Sequence, residues 1–544
     1  MWRQVYDPTN SIYLSALITI IPILYFLWAL AIKRMKGHFA GLTTVALAIV
    51  ISIVAYGMPV KLALLSTGFG SMMGLFPISW IIVTAVFLYK ITVKTGQFNI
   101  IRSSIVSITE DRRLQVLLIA YSFGAFLEGA AGFGTPVAIS AALLVGLGFE
   151  PLYAAGLSLI ANTAPVAYGA IGIPIIVAAK TTGIDAMTIS QMIGRQMPFL
   201  SLLIPFWIVF IMSGWRGTKE VMPAILISGG SFAFAQYFTS NFIGPELPDI
   251  TAALLSLLTT SLFLKVWKPK NIFRFENDKV NPEDIKPTSN ERYSGPQIIK
   301  AWSPFILLTF FVILWGIPTV QAILSKTNIN FNIPGLHQLV VKTTPIVPTD
   351  SAYDATFKLD WLATAGTAIF LAAFVSKFIV GMNMVDWFKS FGETIKELTY
   401  PLITIVSVLG LAYIYNFSGM SATLGLALSK TGQFFPFFAP VLGWLGVFLT
   451  GSDTSANALF GNLQKITANQ IGVNPILTVA ANTSGGGTGK MISPQSIAIA
   501  TAATGLVGKE GELFRFTFKH SIIFVILIGI LTYAQAYYLT WMIP

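Results

Sequence analysis

The chain has 544 residues, of which 54% are hydrophobic and only 10% charged, whereas a soluble globular protein has about a quarter of its residues charged. Its basic excess, 34 Lys and Arg against 23 Asp and Glu, is scattered through short loops, which excludes a nucleic-acid footprint and fits residues that set membrane orientation. The lack of cysteine excludes disulfides and thiolate metal sites, and His38, His337 and His520 have no metal-ligand spacing, so neither metal nor cofactor is expected.

In chain order, the first apolar run, Ile12–Ile32, has about the 20 residues of a full span and no small-residue cleavage site. It reads as a span and not as a cleavable leader. Lys33, Arg34 and Lys36 close it and read as cytoplasmic, because basic residues at span ends mark the inner side. Further spans are expected at Leu42–Tyr56, around Ile81–Leu88, and at Leu200–Met212, Ala252–Val266, Phe305–Trp315 and Ser521–Tyr537. Lys94, Arg102, Arg112, Arg113, Arg216 and Lys219 are expected inside. So is the polar stretch Lys268–Lys300, with Lys268, Lys270, Arg274, Lys279, Lys286 and Arg292. Even numbers of crossings between these sites put both termini and the segment Thr319–Leu359 outside. The expected fold is an all-α polytopic membrane protein, with about 12 transmembrane helices of ~20 residues plus broken or re-entrant segments.

The chain also repeats itself. Gly57-Met58 returns as Gly381-Met382, Pro77 as Pro401, and Lys94-Thr-Gly-Gln-Phe98 as Lys430-Thr-Gly-Gln-Phe434. Phe126-Leu-Glu-Gly129 is echoed by Phe448-Leu-Thr-Gly451, Ala161-Asn-Thr163 by Ala481-Asn-Thr483, and Pro174 by Pro494. Thr182-Gly183 matches Thr504-Gly505, and Arg195 matches Arg515. All eight keep the same order at separations of 320 to 336, so two copies of one unit are expected. Lys94 reads as inside and its counterpart Lys430 as outside; Arg195 reads as outside and Arg515 as inside. The copies are therefore expected to be inverted, as in many secondary transporters. The expected layout is an N-terminal span with the first cytoplasmic loop (1–39), a first copy (40–220), two linking spans (221–266), a cytoplasmic loop (267–300), a linking span with an external loop (301–358), and a second copy (359–544).

The copies are most alike where plain helix is least favoured. The first contains Phe126-Leu-Glu-Gly-Ala-Ala-Gly-Phe-Gly-Thr-Pro136 and Ala161-Asn-Thr-Ala-Pro-Val-Ala-Tyr-Gly-Ala-Ile-Gly-Ile-Pro174. The second contains Thr450-Gly-Ser-Asp-Thr-Ser-Ala-Asn457, Ala481-Asn-Thr-Ser-Gly-Gly-Gly-Thr-Gly-Lys490 and Ser493-Pro494-Gln495. Gly and Pro break helices, and broken helix at membrane depth survives only where it is buried in protein or lines a wet cavity. Paired breaks in two copies point to a transporter's binding site, with half-helix N-termini suited to a carboxylate. Expected binding residues are Gly132, Gly134, Asn162, Thr163, Tyr168, Asn482, Thr483, Ser484, Gly486, Thr488 and Lys490. The competing use of such glycines is close helix packing.

Glu128, Asp453 and Lys490 are ionisable residues inside apolar segments. A charge at the bilayer centre costs on the order of 3 kcal/mol, so such residues usually carry function. Glu128 and Asp453 are rival proton carriers. Lys490 could meet a substrate carboxylate or pair with one of the acids. Arg195 and Arg515, at span ends, read as topology determinants. No nucleophile–base pair is visible, so an enzyme is not expected.

Phe123-Gly-Ala-Phe-Leu-Glu-Gly-Ala-Ala-Gly-Phe-Gly134, Pro151-Leu-Tyr-Ala-Ala-Gly156 and Asn162-Thr-Ala-Pro-Val-Ala167 resemble the L-lactate permease family. So do Asn241-Phe-Ile-Gly-Pro-Glu-Leu-Pro-Asp249, the Asn482–Lys490 segment, Tyr6-Asp7-Pro8 and Lys94–Ile101, so that the likeness covers essentially the whole chain. The resemblance implies uptake of L-lactate, with D-lactate and glycolate, in symport with protons across a bacterial cytoplasmic membrane. For such a 2-hydroxy acid, Thr163, Ser484 or Thr488 would meet the hydroxyl and Phe133 or Tyr168 the methyl. Importing a monoanion against an inside-negative potential costs about 2.3 kcal/mol per 100 mV, which one accompanying proton cancels. A sodium-coupled carrier and a passive anion channel remain open alternatives.

Overall fold

The computed structural model of the chain describes residues 1–31, 33, 35–106, 108–130, 132, 134–275, 293–506 and 509–544. Of the expected basic markers, Arg34, Lys279, Lys286 and Arg292 lie outside the described residues, as does Phe133. Among the described residues, 77% are helical and almost none lie in strands.

Strand β1 (Trp2–Arg3) precedes α1 (Ile12–Ala31), α2 (Gly37–Val54), α3 (Val60–Met73) and α4 (Trp80–Lys94). After α5 (Gln97–Val106), helices α6 (Arg112–Val116) and α7 (Gly124–Ala130) form one rod through a π-helical stretch, Leu117–Phe123. Next come α8 (Thr135–Gly146), α9 (Pro151–Ala161), α10 (Gly169–Thr182), α11 (Ala186–Ile193) and α12 (Met197–Glu220). The middle of the chain holds α13 (Met222–Phe242), α14 (Pro248–Val266), α15 (Gly295–Gly316) and α16 (Pro318–Leu324). Four short strands follow: β2 (Ile329–Asn332), β3 (Val340–Lys342), β4 (Ser351–Ala352) and β5 (Thr356–Leu359). Helices α17 (Ala365–Val380), α18 (Met384–Ser418), α19 (Met420–Ser429), α20 (Phe435–Thr450), α21 (Asp453–Ile471), α22 (Pro475–Lys490), α23 (Pro494–Thr504) and α24 (Glu510–Tyr537) complete the fold. Seven described helical stretches are long and apolar enough to cross a membrane, and two bent pairs, α9 with α10 and α19 with α20, pass the same test jointly. The all-α polytopic architecture is as expected.

The stretches around Arg113, Lys219 and Lys270, all expected inside, come together. Lys94 and Lys90 pair with Glu393 and Glu397, and the buried Arg113 bonds Asp111, Glu220 and the Asn271 carbonyl. At the other end of the molecule, β1 pairs with β3 and β3 with β4, which joins the N-terminus to the 319–359 segment, while Arg195 donates to the Met542 carbonyl.

Two of the Gly-rich segments are tips of helical hairpins. The rod α6–α7 and helix α8 start and finish together: Arg112 N–H donates to the Phe273 carbonyl, and the Arg112 guanidinium lies 5.5 Å from the Phe149 ring, just beyond α8. The turn works because Gly132 and Gly134 take φ of +59° and +82°, a region that costs other residues about 1 kcal/mol or more. In the second hairpin, α20 and α21, Phe435 and Ile471 at the two ends share one apolar cluster. Its tip is Gly451 at φ +72°, followed by Ser452, whose hydroxyl caps α21 by accepting from Ser455 N–H at 3.3 Å. Two other segments are interruptions. Asn162–Tyr168 separates α9 from α10, with Ala170 and Ile171 held at positive φ. Met491–Ser493 separates α22 from α23.

One expectation is corrected. The segment Asn482–Gly489 is not broken but lies within the continuous helix α22, and the break falls just after it. Helical glycine costs about 1 kcal/mol relative to alanine, but here it makes room for a neighbour. A side-chain carbon at Gly485 or Gly489 would overlap the carbonyls of Pro440 or Trp444 on α20, and one at Gly443 would overlap Asn482 O. The two helices touch backbone to backbone, as small residues four apart permit in a membrane.

The two halves also interlock. Helix α8 packs on α23, and α10 packs on α21. Asn457 Nδ2 donates to the Pro174 carbonyl at 3.2 Å and Lys465 Nζ to the Thr182 carbonyl at 2.5 Å.

Candidate functional site

Where the hairpin of the first half meets the broken span of the second, the chain buries an ion pair. Glu128 sits near the end of α7 at 3% exposure, and its Oε1 accepts from Lys490 Nζ at 2.6 Å. Its Oε2 accepts from Asn162 Nδ2, in the α9–α10 break, at 3.0 Å. Gly169 makes room for the carboxylate, since a carbon added there would stand 2.6 Å from Oε1. Lys490 is the last residue of α22, an end where the helix dipole favours a cation. The pair joins residues 362 apart in sequence and thus ties the two halves together.

Two more carboxylates lie in the field of this pair. Asp453 is the first residue of α21, 4% exposed, with neither oxygen hydrogen-bonded among the described residues. It lies against the Cα of Gly486, where an added carbon would strike Oδ1, so Gly486 matters here because it is small. Asp249, on the first turn of α14, is 1% exposed and equally without a partner. Both acids interact electrostatically with Glu128 and Lys490. Thr163 adds a buried hydroxyl with no partner among the described residues, and its carbonyl would stand 3.4 Å from a carbon added at Gly487. The cluster thus holds three carboxyl groups, one ammonium, one amide and one free hydroxyl, all shut off from solvent. An unpaired ion in so dry a place is costly unless a proton or a ligand compensates it.

The structure gathers Glu128, Asp453, Lys490, Asn162, Thr163 and Gly486 into one site. Gly132 lies at the edge of it, since a carbon there would stand 3.1 Å from Ala170 Cβ, and Gly134 packs on Ile499 of α23. The remaining expected residues have their polar atoms committed elsewhere. Asn482 donates to Asn457 Oδ1 at 2.8 Å and accepts from Gln464 Nε2 at 3.1 Å. Thr483 donates to the same Asn457 oxygen at 3.0 Å, and Ser484 to Gln196 Oε1 at 2.8 Å. Thr488 donates to the Gly485 carbonyl, and Tyr168 to the Ser190 carbonyl at 2.7 Å. The matching Ala-Asn-Thr strings therefore do different work: Asn162 holds the central acid, whereas Asn482 ties α21, α22 and the hairpin together. Sequence reasoning missed Asp249 as a site residue. Its signal was an acid on the apolar segment that follows Glu246-Leu-Pro, a charge at membrane depth like the other two.

Comparison with known proteins adds the family. The family model described as L-lactate permease matches residues 15–539. The L-lactate permease of Bacillus subtilis (strain 168) is 56% identical, with both chains covered completely. Glycolate permease GlcA of Escherichia coli (strain K12) is 57% identical over 100% of this chain and 99% of its own. The L-lactate permease of the same strain is 56% identical, again over the whole of both chains. Among solved structures, Neisseria gonorrhoeae MtrF, described with a class of antimetabolite efflux pumps, aligns at a TM-score of 0.52 and 13% identity, covering 94% of this chain and 97% of that one. That likeness is one of fold alone.

Proposed function

This chain belongs to the L-lactate permease family, and from that premise we propose that it imports L-lactate, with D-lactate and glycolate, in symport with protons. The observation that carries the proposal is the buried Glu128–Lys490 pair, flanked by Asn162 and by two carboxyls without partners.

The pair supplies a coupling mechanism. Lys490 is the one cation among these acids in the described residues, so the carboxylate of an incoming lactate competes with Glu128 for its ammonium. Once displaced, Glu128 is a buried carboxylate without a counter-ion, a condition worth several kcal/mol of destabilisation. Taking up a proton relieves it. Anion and proton therefore enter together, and neither binds well alone. The lactate hydroxyl meets the free Thr163 hydroxyl and the Asn162 amide. The relatives named as lactate and glycolate permeases support a small 2-hydroxy acid.

The two copies are inverted repeats, and exchanging their conformations carries the site from one side to the other. The reciprocal packing of α8 on α23 and α10 on α21 supports this. The protein works in the bacterial cytoplasmic membrane with both termini outside, an orientation supported by the basic loops that gather at one end of the molecule.

The test is uptake of labelled L-lactate by proteoliposomes with pH, sodium and potential imposed separately. Uphill uptake driven by an inward proton gradient without sodium is expected, and Glu128→Gln abolishes it. Uptake that needs sodium would favour the second reading, in which an unpartnered carboxylate such as Asp453 holds that ion. Uptake that only follows the potential would mean a channel.

A further inference from the structure

We infer that Asp249 is the proton-transfer partner of Glu128: it takes the coupled proton when Glu128 returns to Lys490. The inference rests on the symport reading and adds a residue to it from outside both expected copies, on α14, the second of the two linking spans.

Three observations place Asp249 in that role. First, it is 1% exposed and neither of its oxygens has a hydrogen-bond partner among the described residues. An acid on the first turn of a helix is commonly a cap, but this one accepts no backbone N–H, so capping does not explain it. Second, it lies directly against the hairpin that carries Glu128. A carbon added at Gly129, the residue after Glu128, would stand 2.7 Å from Asp249 Cβ and 3.1 Å from Ile250 Cγ1. Gly129 thus makes close approach possible between the two acid-bearing elements. Third, Glu128 and Lys490 are the charged groups that act on Asp249 electrostatically.

Other titratable groups lie near Asp249, among them Glu246, three residues before it. Tyr168, in the α9–α10 break, is in electrostatic range, but its hydroxyl is committed to the Ser190 carbonyl. The π-helical stretch packed on α14 brings Tyr121, whose hydroxyl donates to the Ser201 carbonyl at 2.6 Å. Helix α13 brings Tyr237, which is 43% exposed at the outer surface. Asp453 belongs to the same charge cluster from the α21 side.

The step balances. Glu128, protonated while lactate occupies Lys490, gives its proton to the Asp249 carboxylate as lactate leaves. Glu128 is then an anion and re-forms its bond with Lys490, and Asp249 is neutral, with a proton to release on the far side. Without Asp249, Glu128 loses the acceptor that this step assigns to it, and the cycle slows at the return of the empty, protonated carrier.

The experiment uses the full chain in proteoliposomes and compares two rates for wild type, Asp249→Asn and Asp249→Glu. One is net uptake of labelled L-lactate driven by an inward proton gradient. The other is exchange of labelled against unlabelled L-lactate at equal pH, which needs no net proton release. In Asp249→Asn the ratio of net uptake to exchange is expected to fall by about tenfold or more, a coupling loss in the range typical of linked sites. Asp249→Glu is expected to restore the ratio with a displaced pH profile. An unchanged ratio in Asp249→Asn would overturn the inference. Net uptake and exchange falling in step in both variants, with elution from size exclusion as in wild type, would also overturn it by assigning Asp249 a structural role. A wild type driven by sodium and not by protons would overturn the symport reading, and this inference with it.

Discussion

Removing Lys490 alone should damage the protein more than removing both members of its ion pair. Lys490 Nζ lies 2.6 Å from Glu128 Oε1, and the two side chains are 11% and 4% exposed. Solvent therefore screens the pair weakly. Lys490→Met leaves Glu128 with one remaining donor, Asn162 Nδ2 at 3.0 Å, and a buried charge stripped of its partner costs about 3–5 kcal/mol. Adding Glu128→Gln removes the orphaned charge while keeping an acceptor for Asn162. Replacing a whole buried pair by neutral groups of similar volume is near neutral or stabilising. The double variant should thus recover most of the loss, and the double-mutant cycle should give a coupling of about 2 kcal/mol or more, within the range seen for contacting residues. Equilibrium unfolding of the purified chain in mixed detergent measures stability, and proteoliposome uptake measures function. Stability recovers in the double variant, but proton-driven uptake stays lost in all three. If Lys490→Met unfolded within about 1 kcal/mol of wild type, or if the double variant were no better than the single, the pair would not be the buried, closely coupled unit described above.

Three more outcomes follow from the packing. Gly489→Ala pushes a carbon into the Trp444 carbonyl and should destabilise by about 1–3 kcal/mol through overpacking, whereas Gly511→Ala, with open space around it, should be neutral or stabilising by up to about 1 kcal/mol; equilibrium unfolding compares the two. Asn162→Ala should raise the KM for lactate and alter its pH dependence. Asn482→Ala should instead lower stability by about 1–3 kcal/mol, because it leaves buried partners unpaired, with KM in the folded fraction close to wild type; uptake kinetics beside unfolding curves separate the two. Gly169→Ala crowds Glu128 Oε1 and should both weaken lactate uptake and lower stability by about 1–3 kcal/mol through overpacking of the buried pair.

The membrane class and four of the five expected break segments were legible in the sequence for local reasons. A charge fraction of 10% leaves no soluble surface to build, and Gly or Pro interrupts a helix wherever nothing outside holds it straight. Glu128, Asp453 and Lys490 could be singled out because a charge inside an apolar run carries its cost whatever it packs against. The tertiary structure decided what those residues meet. Whether Lys490 faced an acid or waited for a substrate depended on a contact across 362 residues, for which the sequence around Lys490 holds no signal. Asp249 was visible as a residue but not as a neighbour of Gly129, because that contact joins residues 120 apart in sequence. The glycines from Gly485 to Gly489 look the same as those at Gly132 and Gly134, yet one set continues a helix and the other ends one. The difference is the opposing surface: the α20 backbone fills the space beside Gly485 and Gly489, whereas the hairpin needs positive φ at Gly132 and Gly134. Composition and local propensity belong to the residues themselves, and partnership belongs to the fold.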